Sequence, residues 1–337
     1  MQNDQHNQNP QPALLPGQDT SMHRDICIMM LPLLAMAVYL YGLRPALLCL
    51  VAMVTANLCD RMVAVVRRRP YQKGEMSSEA FALLMAMLMP ASVSYEVLVT
   101  AVLVAVLVGK EAFGGYGSYP FHPAAVGYTV AAVSWPEQIF RYPQPFSPLP
   151  LGSIEEVTLV DSTDHTLRAG GVPAISDLNL LLGNYAGAMG VTAALVIAAC
   201  SLYLLAQKHI TPTAPLCFLG AAALVAFCFP RLGSIPPSAP WQYAAERLSL
   251  LKYEMLSGGM LYTAVFLINE PVTLPKTGRG RAAYGLLLGV CAMMFRYYGS
   301  YETGVCFALL AVNALSGWLD RVLQRPAEQK QEGGAAV

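Results

Sequence analysis

What most constrains this chain is where its charges are missing. Ten apolar windows contain no Asp, Glu, Lys or Arg: 26–43, 45–59, 80–95, 97–109, 112–136, 178–207, 209–230, 255–269, 282–295 and 303–319. A helix needs about 20 predominantly apolar residues to cross a hydrocarbon core. Within lipid every backbone N–H and C=O must be satisfied inside the segment, which makes such windows helical. The 337 residues are 55% hydrophobic and only 12% charged, against roughly a quarter charged in a soluble domain. The pattern predicts an all-α polytopic membrane protein of about ten transmembrane helices and argues against a cytosolic enzyme.

Lys plus Arg and Asp plus Glu each total 21, so the net charge is zero. No basic field marks a nucleic-acid partner; the partner that composition implies is the lipid bilayer. Windows 80–95, 97–109 and 282–295 fall short of a full span. They either borrow flanking residues or stop partway across and line a site.

The distribution of positive charge gives an orientation. With the N-terminus inside and ten alternating spans, Arg24, Arg61, Arg67, Arg68, Arg69, Lys73, Lys110, Lys208, Lys276, Arg279, Arg281, Arg321, Arg325 and Lys330 lie on the inner side. Arg44, Arg141, Arg168, Arg231, Arg247, Lys252 and Arg296 lie outside. Fourteen against seven predicts that both termini are cytoplasmic. The Arg67, Arg68, Arg69 and Lys73 cluster reads as a topology anchor on anionic lipid. The Gln/Asn/Pro-rich segment 1–22 is too polar for a signal peptide and reads as a disordered inner tail, as does 326–337.

Eight cysteines lie in or beside apolar windows and none forms a CxxC. They read as small buried apolar residues, so no metal site is expected. No Ser/His/Asp arrangement, Walker motif or paired-His site occurs. The Gly-rich stretch after residue 113 lacks the strand and acidic residue of a dinucleotide fingerprint.

The two halves resemble each other weakly. Met89-Pro90 ends the third window and Glu270-Pro271 the eighth, with the prolines 181 residues apart. Gly117-Ser118-Tyr119 and Gly299-Ser300-Tyr301 recur 182 residues apart. Five spans per half is an odd number, so the prediction is two inverted five-helix repeats with broken helices meeting near the midplane. The boundaries are 23–136 for the first membrane repeat, 137–177 for an outer loop and 178–325 for the second repeat.

Gly114, Gly115, Gly117, Pro120 and Pro123 make residues 113–123 too irregular for continuous helix. Backbone groups freed there need a cofactor, an ion or a neighbouring helix. His122 is either a hydrogen-bonded structural residue or a ligand or proton relay. Glu270, Glu111 and Glu302 stand at ends of apolar windows, where a carboxylate is either a functional group in the membrane or a headgroup-zone residue.

These stretches together resemble a known family: the RnfD component of the Rnf ion-translocating electron-transport complex, with its related membrane component in the sodium-translocating NADH:quinone reductase. Phe113-Gly114-Gly115-Tyr116-Gly117 through Phe121-His122-Pro123-Ala124, then Ser134-Trp135-Pro136, is similar to the family's FGGxGxNxFNPAxxG block and its trailing Ser-Phe/Trp-Pro. Asn269-Glu270-Pro271-Val272-Thr273 resembles its DPVTSP stretch, and Leu182-Gly183-Asn184 through Gly190 its LGNxxGSxG segment. Tyr298 to Ala308 with Asn313 resembles the last-span pattern WGGYPDGVAFA. His122 stands where the family has Asn, and Val191 where a Glu usually follows.

The resemblance implies an integral subunit of a redox-driven pump that moves Na+ or H+, a part of a translocase rather than an enzyme alone, working with the other subunits of an Rnf-type complex in the cell membrane. It implies FMN joined by a phosphoester to a threonine in an outer S-G/S-A-T signature. Thr163 takes that position in Val160-Asp161-Ser162-Thr163-Asp164, with Thr166 the alternative hydroxyl. Asp161, Ser162 and Asp164 replace the usual Gly, Ala and Pro. Two added carboxylates would repel a phosphate, and the competing reading of residues 161–164 is a solvated turn. It also implies a noncovalent riboflavin. Phe113, Gly114, Gly115, Gly117, Phe121, His122 and Pro123 are assigned to that site or its helix-break scaffold, with Asn269, Glu270 and Pro271 as further cofactor-binding candidates. The alternatives are a channel-like or secondary transporter without a redox cofactor, favoured by the altered attachment motif, and a scaffold subunit without flavin.

Overall fold

A computed structural model describes residues 18–68, 76–152, 157–231, 243–301 and 303–323. Two long helices open it, α1 (Gln18–Tyr41) and α2 (Arg44–Val66). Gly42 between them takes φ +80°, a left-handed conformation that ends α1, and Pro45 presets the first turn of α2. Residues 18–22, assigned to the tail from sequence, are therefore helical. Residues 1–17 and 324–337, which hold the rest of both predicted tails, lie outside the described residues, as do Arg69, Lys73 and Glu302.

Against this hairpin packs α3 (Ser77–Leu88), buried along its whole length. It spans only about 18 Å at 1.5 Å per residue, because Pro90 forces Met89 into an extended conformation. Next, α4 (Tyr95–Leu103) starts at the Ser94 cap. It runs on as a π turn (Val104–Lys110) and a 3-10 turn (Glu111–Phe113). After the irregular link come α5 (Pro123–Ser134) and the short α6 (Pro136–Ile139). The predicted outer loop is structured: β1 (Tyr142–Pro143) pairs antiparallel with β2 (Leu159–Val160), and α7 (Thr163–Arg168) and α8 (Asp177–Leu182) follow.

The second half contains α9 (Ala194–Ala206), α10 (Thr213–Cys228), α11 (Ala244–Leu256), α12 (Met260–Tyr262) continuing as a π turn (Thr263–Leu267), α13 (Gly278–Tyr298), α14 (Val305–Asn313) and α15 (Ser316–Leu323). Window 178–207 is not one helix: Gly183 ends α8 with a left-handed residue, and the chain runs irregularly to α9. There Met189 and Gly190 donate their N–H groups to the carbonyls of Met89 and Met87, acceptors left open at the end of α3. Among the described residues, α1 from Ser21 and α2 are long and apolar enough to span a bilayer; the pair α14 and α15, bent by 51°, makes a third if taken together. The 21 residues of α13 are long enough, about 31 Å, but carry Arg279, Arg281 and Arg296. Helix α11 has no counterpart among the apolar windows; it is amphipathic and buries Arg247, Leu250, Tyr253 and Glu254.

The halves pack in parallel ways. Helix α2 lies on α3 and α4, and α10 lies on the π turn after α12 and on α13. Next, α4 meets α5 as α13 meets α14, and α5 and α14 meet each other. The α10–α13 contact is closest at Gly285 and Gly289, where a Cβ would stand 2.4 Å from the carbonyl oxygens of Ala214 and Phe218.

The exterior decides the solvent. Leu50, Val54, Leu58 and Met62 form an exposed stripe along α2, opposite buried Leu48, Ala52, Ala56 and Cys59. Leu195 and Leu202 on α9, Leu216 and Leu224 on α10, and Leu286, Val290 and Met294 on α13 continue an apolar surface. A water-soluble monomer does not carry contiguous apolar patches of that extent; lipid-facing helices do.

Candidate functional site

Two polar regions within this apolar body hold the buried candidate residues. The first joins both halves of the chain. The link before α5 turns through Gly114, Gly115 and Gly117, all at positive φ, and enters α5 at buried Pro123, packed on Gly109. The turn directs Tyr119 and His122 inward. In the second half, Asn269 closes the π turn by donating its amide to the carbonyls of Ala264 and Val265 at 3.1 and 3.2 Å. Next to it Glu270 is buried, and its Oε1 accepts the Tyr119 hydroxyl at 2.5 Å. His23 of α1 brings Nε2 to 3.5 Å from Glu270 Oε2. The Phe81 ring meets His23, Tyr119 and His122 edge-on.

The sequence-predicted residues thus divide. His122, Pro123, Asn269 and Glu270 are buried, while Pro271 is half-buried beside them. Phe113 is exposed and packs on Phe121, with ring centroids 6.5 Å apart, as a separate aromatic pair. The hydrogen-bonded structural role considered for His122 is not what is seen: both ring nitrogens are buried without a hydrogen-bond partner. Sequence reasoning missed His23, an isolated histidine beside a polar tail, for which spacing offers no signal. Glu111, the other junction carboxylate, pairs with Arg67 at 3.4 Å and with Lys110 at 3.8 Å.

The second region surrounds Thr163. Ser162 caps α7 by accepting from His165 N–H at 3.0 Å. The Thr163 hydroxyl is buried and has no hydrogen-bond partner. It lines a small cleft with Tyr185, Gly187, Thr192, Gly259 and Thr303 on its walls. The solvated-turn reading fails here, because Ser162, Thr163 and Asp164 are all buried. Asp164 turns inward to the guanidinium of Arg296 and accepts the Ser257 hydroxyl at 2.8 Å. Arg296 Nε lies 2.9 Å from Glu254 Oε2, and Arg231 Nε lies 3.8 Å from Glu254 Oε1. Asp161 remains at the surface, 3.6 Å from His165.

Arginines at this end also satisfy backbone carbonyls in loops and at a helix end. Arg44 donates to Ala91, Val93, Pro150 and Gly152. Arg247 donates to Phe227 and Cys228 at the end of α10. Five of the seven positive residues predicted to face outward are thus bound to carbonyls at one end of the molecule: Arg44, Arg168, Arg231, Arg247 and Arg296.

The model of the NQR2, RnfD, RnfE family matches residues 11–328. The chain belongs to that family. An ion-translocating oxidoreductase complex component of the RnfD type from Escherichia fergusonii is 29% identical over 315 residues, covering 84% of this chain and 86% of the relative. The protein of the same name from Escherichia coli strain SE11 is 29% identical over 314 residues with the same coverage. The family match spans both polar regions, so the Tyr119–Glu270 contact and the Thr163 cleft both lie inside the NQR2, RnfD, RnfE unit. His122 and residues 162–164, where this chain differs from the resembled pattern, are buried polar positions, while Asp161 is exposed.

Proposed function

We propose that the protein is an integral membrane subunit of an ion-translocating oxidoreductase complex of the Rnf type. The observation that carries this reading is the family match over residues 11–328, joined to relatives named as the RnfD-type component of such complexes. An apolar exterior around buried ionisable groups fits a protein that handles charge inside the bilayer. In this reading ten spans form two inverted five-helix halves, which the matching packing of α2 and α10 supports. Both termini face the cytoplasm across the cell membrane, which the charge bias supports.

Thr163 is the attachment point for FMN. Its hydroxyl has no partner in the protein and opens on a cleft. Of the carboxylates that would repel a phosphate, Asp164 is engaged by Arg296. Bound there, FMN supplies the electron-transfer chemistry. The chain holds the attachment residue on the capped first turn of α7 and neutralises the charge beneath it. Exposed Phe113 and half-buried Phe121, with the turn at Gly114, Gly115 and Gly117, offer an apolar platform for noncovalent riboflavin. Through these groups the protein couples electron transfer to the movement of Na+ or H+.

Purified protein should show a visible flavin band and covalent flavin fluorescence on a denaturing gel, and Thr163→Ala should abolish the fluorescence. Fluorescence retained in that variant overturns the attachment residue. A flavin-free spectrum of the unmutated protein overturns the flavoprotein reading and favours a cofactor-free transporter or scaffold.

A further inference from the structure

The chemistry around Glu270 exceeds what a helix-break scaffold requires. Glu270, His23, His122 and Tyr119 are each at most 2% exposed. They come from α1, from the link before α5 and from the segment after the π turn. Glu270 spends Oε1 on Tyr119 and Oε2 on His23. The His122 ring is near enough for charge on Glu270 and His23 to act on it, yet both of its nitrogens are idle.

The other polar groups from the packed elements are few. Helix α3 contributes Phe81 and, two residues earlier, Glu79, whose Oε1 is held by Asn57 at 2.7 Å. Tyr116 packs edge-on against His23 and Tyr119. Asp25 on α1 is paired with His209 at 2.9 Å. Asn269 and Thr273 flank Glu270 in sequence. A lone carboxylate in an apolar interior must be paired or protonated. A buried imidazole with both nitrogens idle is a group whose ligand is missing from the protein itself.

We propose that Glu270, His23 and His122 form a proton-binding site that exchanges one proton with water. With the proton absent, the site holds a carboxylate and two neutral imidazoles. With it bound, the proton sits between Glu270 and the imidazoles, and the charge of the site rises from minus one to zero. Sodium is the competing occupant, since Asn269 Oδ1 and Thr273 Oγ1 are also buried without partners. Hard cations take oxygen ligands, whereas here both Glu270 oxygens are engaged and imidazole nitrogens complete the surroundings. The site rests on the proposed function only for where the proton goes next.

Infrared difference spectra of the full-length protein, recorded across pH with and without NaCl, read the site directly. We expect a protonated-carboxyl C=O band that disappears in the isosteric variant Glu270→Gln and is indifferent to sodium. His122→Asn removes a proton-sharing group and should move the midpoint of that band down by about one pH unit, a tenfold weaker proton affinity. Tyr119→Phe keeps the ring packing but takes a donor from the carboxylate, so it should move the midpoint up. A band that survives Glu270→Gln, a midpoint unmoved by His122→Asn, or displacement of the band by sodium overturns the site. A missing flavin spectrum with the band intact would overturn the redox reading and leave the proton site standing.

Discussion

Arg296 illustrates how much one side chain can hold at the residue scale. Its guanidinium serves Asp164, Glu254 and the Ser257 hydroxyl, and donates to the Glu254 carbonyl at 2.7 Å. All of these groups are buried. Replacing Arg296 with Met would leave Asp164 uncompensated and Glu254 with only Arg231, so we expect a loss of roughly 3–5 kcal/mol, read as a lower melting temperature in detergent. The exposed Lys252–Asp177 pair is the control: Lys252→Ala should leave the melting temperature unchanged, because solvent screens such a pair. At this scale the sequence was only half legible. Glu270 could be singled out as a carboxylate beside an apolar window and is buried, but Asp164 looked solvated because its partner is 132 residues away.

At the scale of elements, prolines and glycines carried most of the information. Pro90, Pro123 and Pro271 stop or start helices where the sequence places breaks. The reason is local: proline lacks an N–H and restricts the residue before it. Helix α11 was missed because its buried face is built from Arg247, Leu250, Tyr253 and Glu254 rather than from an apolar run. The seam between α10 and α13 depends on missing side chains at Gly285 and Gly289, a four-residue spacing that lets helix backbones meet. Gly289→Leu should force the two helices apart. The expected outcome is a protein with little folded yield and, because α13 also carries Arg296, an open Thr163 cleft with increased protease cleavage near α7. Wild-type yield and cleavage in that variant would contradict the close packing.

For the whole molecule the arrangement of charge makes an orientation testable. Asp161 and His165 lie at the end that binds Arg44, Arg168 and Arg296, and Arg61 lies near the opposite end of α2. With the native cysteines replaced, a cysteine at position 161 should react with a membrane-impermeant thiol reagent in intact cells. One at position 61 should react only after permeabilisation, and the reverse pattern would invert the topology. Placement in a membrane was legible because it depends on sums over long windows. The broken course of residues 178–207 was not, since hydropathy does not register a left-handed turn at Gly183 inside an apolar stretch.

Composition and the charge-free windows by themselves determined that this chain is a helical membrane protein, and its motifs determined the family, because both are read along the chain. Tertiary structure alone decided which ionisable groups meet. Tyr119 reaches Glu270 across 151 residues and Arg296 reaches Asp164 across 132. Nothing local marks such pairs. In a medium without water a buried charge must find its counterpart wherever the fold brings one within reach.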